Sequence, residues 1–142
     1  MTSGSAPGLH RMTDETAIRD VLDRWVGAIR ARDLDGVAAA HTDDIVLFDV
    51  PVPYDGVYGI DGYRATWPEF FEWIAGGAVL ELVRLDVTAG DTVAYAHALF
   101  RAGMPEDIAA HPEKRLRSTF GLRKIDGAWV IAHEHHSMPH TA

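Results

Sequence analysis

The dipeptide Asp126-Gly127 separates two strand-length runs, Leu116–Ile125 and Ala128–Ser137, the second opening on the apolar Ala128–Ala132 and ending on a polar cluster. An Asp-Gly pair supplies the two positive-φ positions of a tight hairpin, so the runs read as paired antiparallel strands. Side chains alternate between the faces of a strand. A two-residue loop then puts Leu116, Ser118, Phe120 and Leu122 on one face, with Trp129, Ile131, His133, His135 and Ser137. The other face carries Arg117, Thr119 and Arg123 with Val130, Glu134 and His136. The first face is the apolar one and is expected to look inward. His133 and His135 are therefore expected inside, and Glu134 outside beside Arg117. A loop one residue longer would reverse the relative register.

Helices precede this hairpin. Thr13 caps an apolar stripe of Ile18, Val21, Leu22, Trp25 and Ile29, spaced as one helical face that runs to about Arg32. Asp33 begins a short second helix, and Ile45–Asp49 reads as a strand. A proline- and glycine-rich loop follows. Asp61 is expected to cap a third helix with Tyr63, Trp67, Phe70, Phe71 and Ile74 on its apolar face, kinked or restarted at Pro68. Val79–Thr88 and Val93–Arg101 read as a first hairpin, and the dozen residues after it as a loop. The order is helix, helix, strand, helix and then four antiparallel strands, which is an α+β architecture. Residues 13–142 form one domain, and residues 1–12 read as a flexible tail without the apolar core of a signal peptide.

Composition narrows the chemistry. The net charge is −8, with no basic cluster to attract nucleic acid or an anionic membrane. The chain has no cysteine, which excludes disulfide scaffolds, zinc ribbons and thiol catalysis. No apolar run reaches the ~20 residues of a membrane span, so the default location is cytoplasmic. No phosphate loop, dinucleotide fingerprint or nucleophile elbow occurs, so no cofactor is expected. Zinc needs three or four convergent ligands, and only two histidines of the His133–His136 cluster share a face, so no metal is expected either. A third histidine, His97, would have to come from another strand. Strand parity leaves His97 either on the exterior or in the mouth of a cavity. The aromatic helix with Trp67, Phe70, Phe71 and Trp73 is core, and in part a wall for a flat apolar ligand. Tyr54 and Tyr58 fall in the loop at the expected rim.

Several segments together resemble the nuclear transport factor 2-like superfamily, in its SnoaL-like and ketosteroid-isomerase-like branch. They are the long first helix, Ala31–Val37, His41–Asp49 and the closing Gly127–Pro139. The resemblance implies a cone: a strongly curved antiparallel sheet wrapped around the first helix, with an apolar pocket open at one end and a homodimer formed through the outer sheet face. It also sets Asp49 at the position of the family's carboxylate base, in Asp43-Asp-Ile-Val-Leu-Phe-Asp-Val50. Alone, Asp49 reads either as a cap for the next turn or as a base in a poorly solvated pocket. Two family groups are replaced: Trp25 stands at the tyrosine position and Phe120 at that of the protonated aspartate.

The expected function is cofactor-free acid–base proton transfer, as in an isomerase, cyclase or dehydratase, on a small, apolar, cyclic carbonyl compound. Asp49 is the expected base, with His135 and His133 as acid or oxyanion donor and His97 as a further candidate. Trp25, Tyr54, Tyr63, Trp67, Phe71, Ser118 and Phe120 are the expected substrate contacts. A non-catalytic binding module of the same fold is the alternative. The closing His135-His136-Ser137 also resembles the end motif of iota-class carbonic anhydrases, which is a minor one.

Overall fold

A computed structural model describes residues 13–140, so the expected N-terminal tail lies outside the described residues. Helix α1 (Asp14–Arg30) starts where the Thr13 hydroxyl accepts from the Thr16 N–H, and it buries Ile18, Val21, Leu22, Trp25, Val26 and Ile29. These positions recur every three or four residues, so one face meets the core. Asp33 caps α2 (Leu34–Ala38) by accepting from the Gly36 N–H. Strand β1 (His41–Phe48) follows, and then β2 (Val57–Tyr58), a two-residue strand inside the expected loop. Pro68 lies in the first turn of a new helix, dividing α3 (Ile60–Ala65) from α4 (Trp67–Ala75). Gly59, not Asp61, is the N-cap of α3, and Asp61 sits in its first turn.

Strands β3 (Val79–Ala89) and β4 (Val93–Gly103) form the first hairpin, and β5 (Leu116–Ile125) and β6 (Ala128–Ser137) the second. Between the hairpins, the expected loop contains α5 (Pro105–Ala110), with proline and acids in its first turn, where a missing N–H and negative charge both suit a helix. The six strands form one open sheet in the order β2-β1-β6-β5-β4-β3. Every neighbouring pair is antiparallel except β1–β6, which is parallel. This corrects the expectation of a wholly antiparallel sheet: no hairpin links β1 to β6, so no turn dictates their relative direction.

Two β-bulges decide which side chains face the helices. In β6, Leu122 pairs with Ile131 but Gly121 pairs with His133, so Ala132 is an extra residue. The regular alternation Trp129, Ile131 then continues at Glu134, and it is Glu134 that is buried. The expected inward placement of His133 and His135 is thus reversed beyond the bulge, because one inserted residue exchanges the two faces. The expected Glu134–Arg117 pair falls with it; Arg117 donates to the Ser137 hydroxyl instead. In β3 the register shifts between Leu82 and Arg84; nearer the turn, where Ala89 pairs with Ala94, Asp86 lies opposite His97. On β4 the buried face is Ala96, Ala98 and Phe100, which leaves His97 on the outer face of the sheet.

Candidate active site

Among the described residues, the core is apolar apart from Thr42 and one hydrogen-bonded cluster. Glu134 is 0% exposed, on the inward face of β6. Its Oε2 lies 2.5 Å from Nε2 of His41 at the start of β1 and accepts from the Tyr63 hydroxyl of α3 at 2.7 Å. Its Oε1 lies 2.9 Å from Nε2 of His136. The Tyr63 oxygen accepts from the Trp25 indole N–H of α1 at 2.9 Å. Nδ1 of His136 meets the Ser118 hydroxyl of β5 at 2.6 Å. Five elements thus contribute to one buried hydrogen-bonded chain, which the bulge at Ala132 makes possible.

A carboxylate in a dry core needs compensation. Burial alone would raise the carboxyl group of Glu134, but hydrogen bonds and charge from His136 and His41 outweigh it and bring the group down to about 2. Glu134 is therefore an anion that only accepts, and each histidine donates to it through Nε2. Burial, and then the charge of Glu134, push the Tyr63 hydroxyl well above the ordinary phenol range, so Tyr63 stays a donor. In its neutral form His136 keeps its hydrogen on Nε2, toward Glu134, and faces Ser118 with Nδ1 as an acceptor.

His136 also belongs to the wall of a cavity of about 700 Å³. Trp25, Ile29, Trp67, Phe70, Trp73 and Phe100 are among the apolar residues that line it. The His136 ring lies parallel to Trp25, 2° between planes, with centroids 6.1 Å apart. Polar groups reach the same cavity from Asp49, Glu69, Asp107, His111 and Lys114. This volume suits a ligand of two or three fused rings or of similar bulk.

The expected site residues are distributed unevenly around this cavity. Asp49 does line it. It is exposed, however, and its Oδ1 accepts from the Val50 N–H as a turn cap, so the poor solvation expected around it is missing. Trp25 and Trp67 also line the cavity. Tyr63, Ser118 and Phe120 are buried around it, Tyr63 and Ser118 in the Glu134 cluster and Phe120 edge-on to Trp25 and His136. Phe71 packs on Trp67 without reaching the cavity wall, and Tyr54 is 96% exposed. His133 and His135 lie behind β6, edge-on to Phe48, and His133 bonds the Val46 carbonyl. His97 stands on the outer face, 3.8 Å from Asp86. Among the described residues, no three His, Cys, Asp or Glu side chains are arranged to hold a metal ion.

His41, Glu134 and His136 were the residues that strand parity missed. A signal existed at Gly121, an isolated glycine inside a strand, which marks bulges and close approaches. A Cβ there would meet the Cβ of His133 at 3.3 Å, tighter than most such contacts. From this placement, His135→Ala is expected to change the unfolding free energy by no more than about 0.5 kcal/mol in denaturant titration. A loss several times larger would mean that its ring is packed more tightly than its exposure implies.

Residues 18–141 match the family model of the SnoaL-like domain. The chain belongs to the SnoaL-like family. Among solved structures it is similar to an NTF2-like protein of unknown function from Pseudomonas putida KT2440, with 34% identity, 92% of each chain covered and a TM-score of 0.78. It shares its fold with an NTF2-like protein of cystatin-like fold from Novosphingobium aromaticivorans, at 15% identity, 96% and 89% coverage and a TM-score of 0.73. A ketosteroid isomerase-like protein from Erwinia carotovora atroseptica SCRI1043 shares it too, at 20% identity, 92% and 100% coverage and a TM-score of 0.64. No curated protein matches the chain. The α+β architecture expected for the SnoaL-like and ketosteroid-isomerase-like branch is the one observed, as a mixed open sheet with its helices. Among the described residues, no helix of this SnoaL-like protein is long and apolar enough to cross a membrane.

Proposed function

We propose that this SnoaL-like protein is a cofactor-free acid–base enzyme acting on a small, mainly apolar carbonyl compound, with His136 as the proton-transfer group. The observation that carries the reading is a histidine on the wall of an apolar cavity, held from behind by a buried, ionised Glu134. Such a carboxylate fixes the tautomer of the ring and stabilises the imidazolium that forms when the ring takes a proton. A proton removed beside a carbonyl reaches His136 by way of Ser118: the hydroxyl oxygen takes it up as its own proton passes to Nδ1. Asp49 lines the same cavity and is the second group, which an isomerisation or elimination needs in order to return or remove a proton elsewhere. His136 thereby takes the part expected of His133 and His135. The exposed Val83, Val93 and Tyr95 on the sheet support the homodimer that the family resemblance implies.

A binding module is the second reading. It is favoured by the fact that both His136 nitrogens and Asp49 Oδ1 already have partners. One assay separates the two. Flat aromatic, steroid-like and terpenoid ketones are screened by thermal shift, and those that bind are incubated with protein in D₂O. An enzyme exchanges the protons next to the carbonyl faster than buffer does, as read by NMR. Binding without any accelerated exchange across the panel would sink the enzymatic reading.

A further inference from the structure

Proton transfer on a ketone is not all that the contact between His136 and Ser118 can support. The acceptor nitrogen of His136 points at a hydroxyl, not at open space. Ser118 Oγ lies 2.6 Å from Nδ1, and Nε2 lies 2.9 Å from Glu134 Oε1. Polarity along this line is consistent. With Nε2–H given to Glu134, the neutral imidazole presents a bare Nδ1 to the Ser118 hydroxyl, which donates to it. A hydroxyl within hydrogen-bond reach of a base, itself oriented by a third group, is the arrangement that activates a serine nucleophile.

We propose that Ser118, His136 and Glu134 form a nucleophilic triad that transfers short acyl groups from esters of apolar alcohols. It uses the same His136–Glu134 pair as the reading above but does not depend on ketone chemistry.

The position of Ser118 defines the substrate class. Leu116, two residues earlier on the same face of β5, and His136, its partner across the sheet, both line the large cavity. Ser118 lies between them, 1% exposed and behind the lining rather than part of it, so only a small acyl group can be pressed down to its oxygen. The apolar alcohol portion fills the aromatic cavity above.

The step balances as follows. Ser118 Oγ bonds to the ester carbonyl carbon while its proton passes to Nδ1 of His136. The carbon–oxygen bond to the alcohol breaks, and the departing alkoxide takes that proton back. Water, deprotonated by the same Nδ1, then adds to the acyl-serine carbonyl; the bond to Ser118 Oγ breaks, Oγ takes the proton back from Nδ1, and the free acid is released.

The test uses p-nitrophenyl acetate on the intact protein, read by mass spectrometry of the quenched protein and by release of nitrophenol. The expected result is an adduct on Ser118, with acetate hydrolysis at least about tenfold above that of His136→Gln, in which the base is gone. Ser118→Cys supplies a second measurement, because the chain contains no other cysteine. Its thiol is expected to react with iodoacetamide at least about tenfold faster when His136 is present than in the double variant with His136→Gln. The proposal is overturned if Ser118 carries no adduct, or if labelling is unaffected by loss of His136. Neither readout involves exchange of ketone protons, so failure here and failure of the acid–base reading are separate results.

Discussion

His136→Gln should abolish most of any accelerated exchange of ketone protons, by about a hundred- to ten-thousandfold, the range typical of a lost general acid–base group. The substitution is chosen for its side-chain amide, which can still donate to Glu134 where Nε2 does, so the buried carboxylate keeps a partner. The amide has no nitrogen able to take up and return a proton at neutral pH. Ligand affinity should change little, because the apolar walls of Trp25, Trp67, Phe70 and Phe100 supply the contact area. A fall in rate with binding preserved marks an interaction made in the transition state rather than in the ground state. Retained exchange in this variant would remove His136 from the chemistry and leave Asp49, the other acid–base candidate on that wall, to account for it.

Glu134→Gln should be the most destabilising single polar substitution in the core. Glu134 accepts from Tyr63, His41 and His136 while fully buried. An amide has one acceptor oxygen and turns its NH₂ toward groups that are themselves donors. Removing one partner from a buried ionic cluster typically costs about 3–5 kcal/mol. For a domain of this size, that corresponds to a fall in Tm on the order of 10 °C or more. The same carboxylate makes the fold acid-sensitive. Its folded-state value of about 2 lies below the ordinary 4.5, so its stabilisation is complete above the ordinary value and is lost as the pH falls through the folded one. Stability should thus decline as acid is added between about pH 4.5 and pH 2, by an amount on the order of 3 kcal/mol. Chemical denaturation at a series of pH values measures it. An unchanged Tm for the variant, or a flat profile across that window, would mean that the cluster is not ionised as described.

Much of the site was legible before any fold was known. Trp25 and Trp67 stand on helix faces whose spacing alone directs them into the core, and both became cavity walls. Asp49 follows two inward residues of an apolar strand, Ile45 and Leu47, and it does reach the cavity rim. What it lacks is burial, which depends on how the following loop packs. Tyr63 was expected to touch a ligand. It instead supports Glu134, because the bend of the chain at Pro68 and the placement of α3 against β1 bring its hydroxyl to a residue 71 positions away.

The sequence by itself determined the element types, the hairpin at Asp126-Gly127 and the apolar faces of α1 and α4. These rest on local periodicity and on backbone preferences acting over a few residues. Only the tertiary structure decided which histidines face the cavity. Alternation along a strand has a period of two, so a single extra residue, Ala132, exchanges His133 and His135 for Glu134 and His136. That extra residue sits where β6 meets strands on both sides, against Gly121 on β5 and where β1 shifts register between His41 and Val46. Pairing of β1 with β6 brings together residues some 90 positions apart, and no local rule governs such a contact.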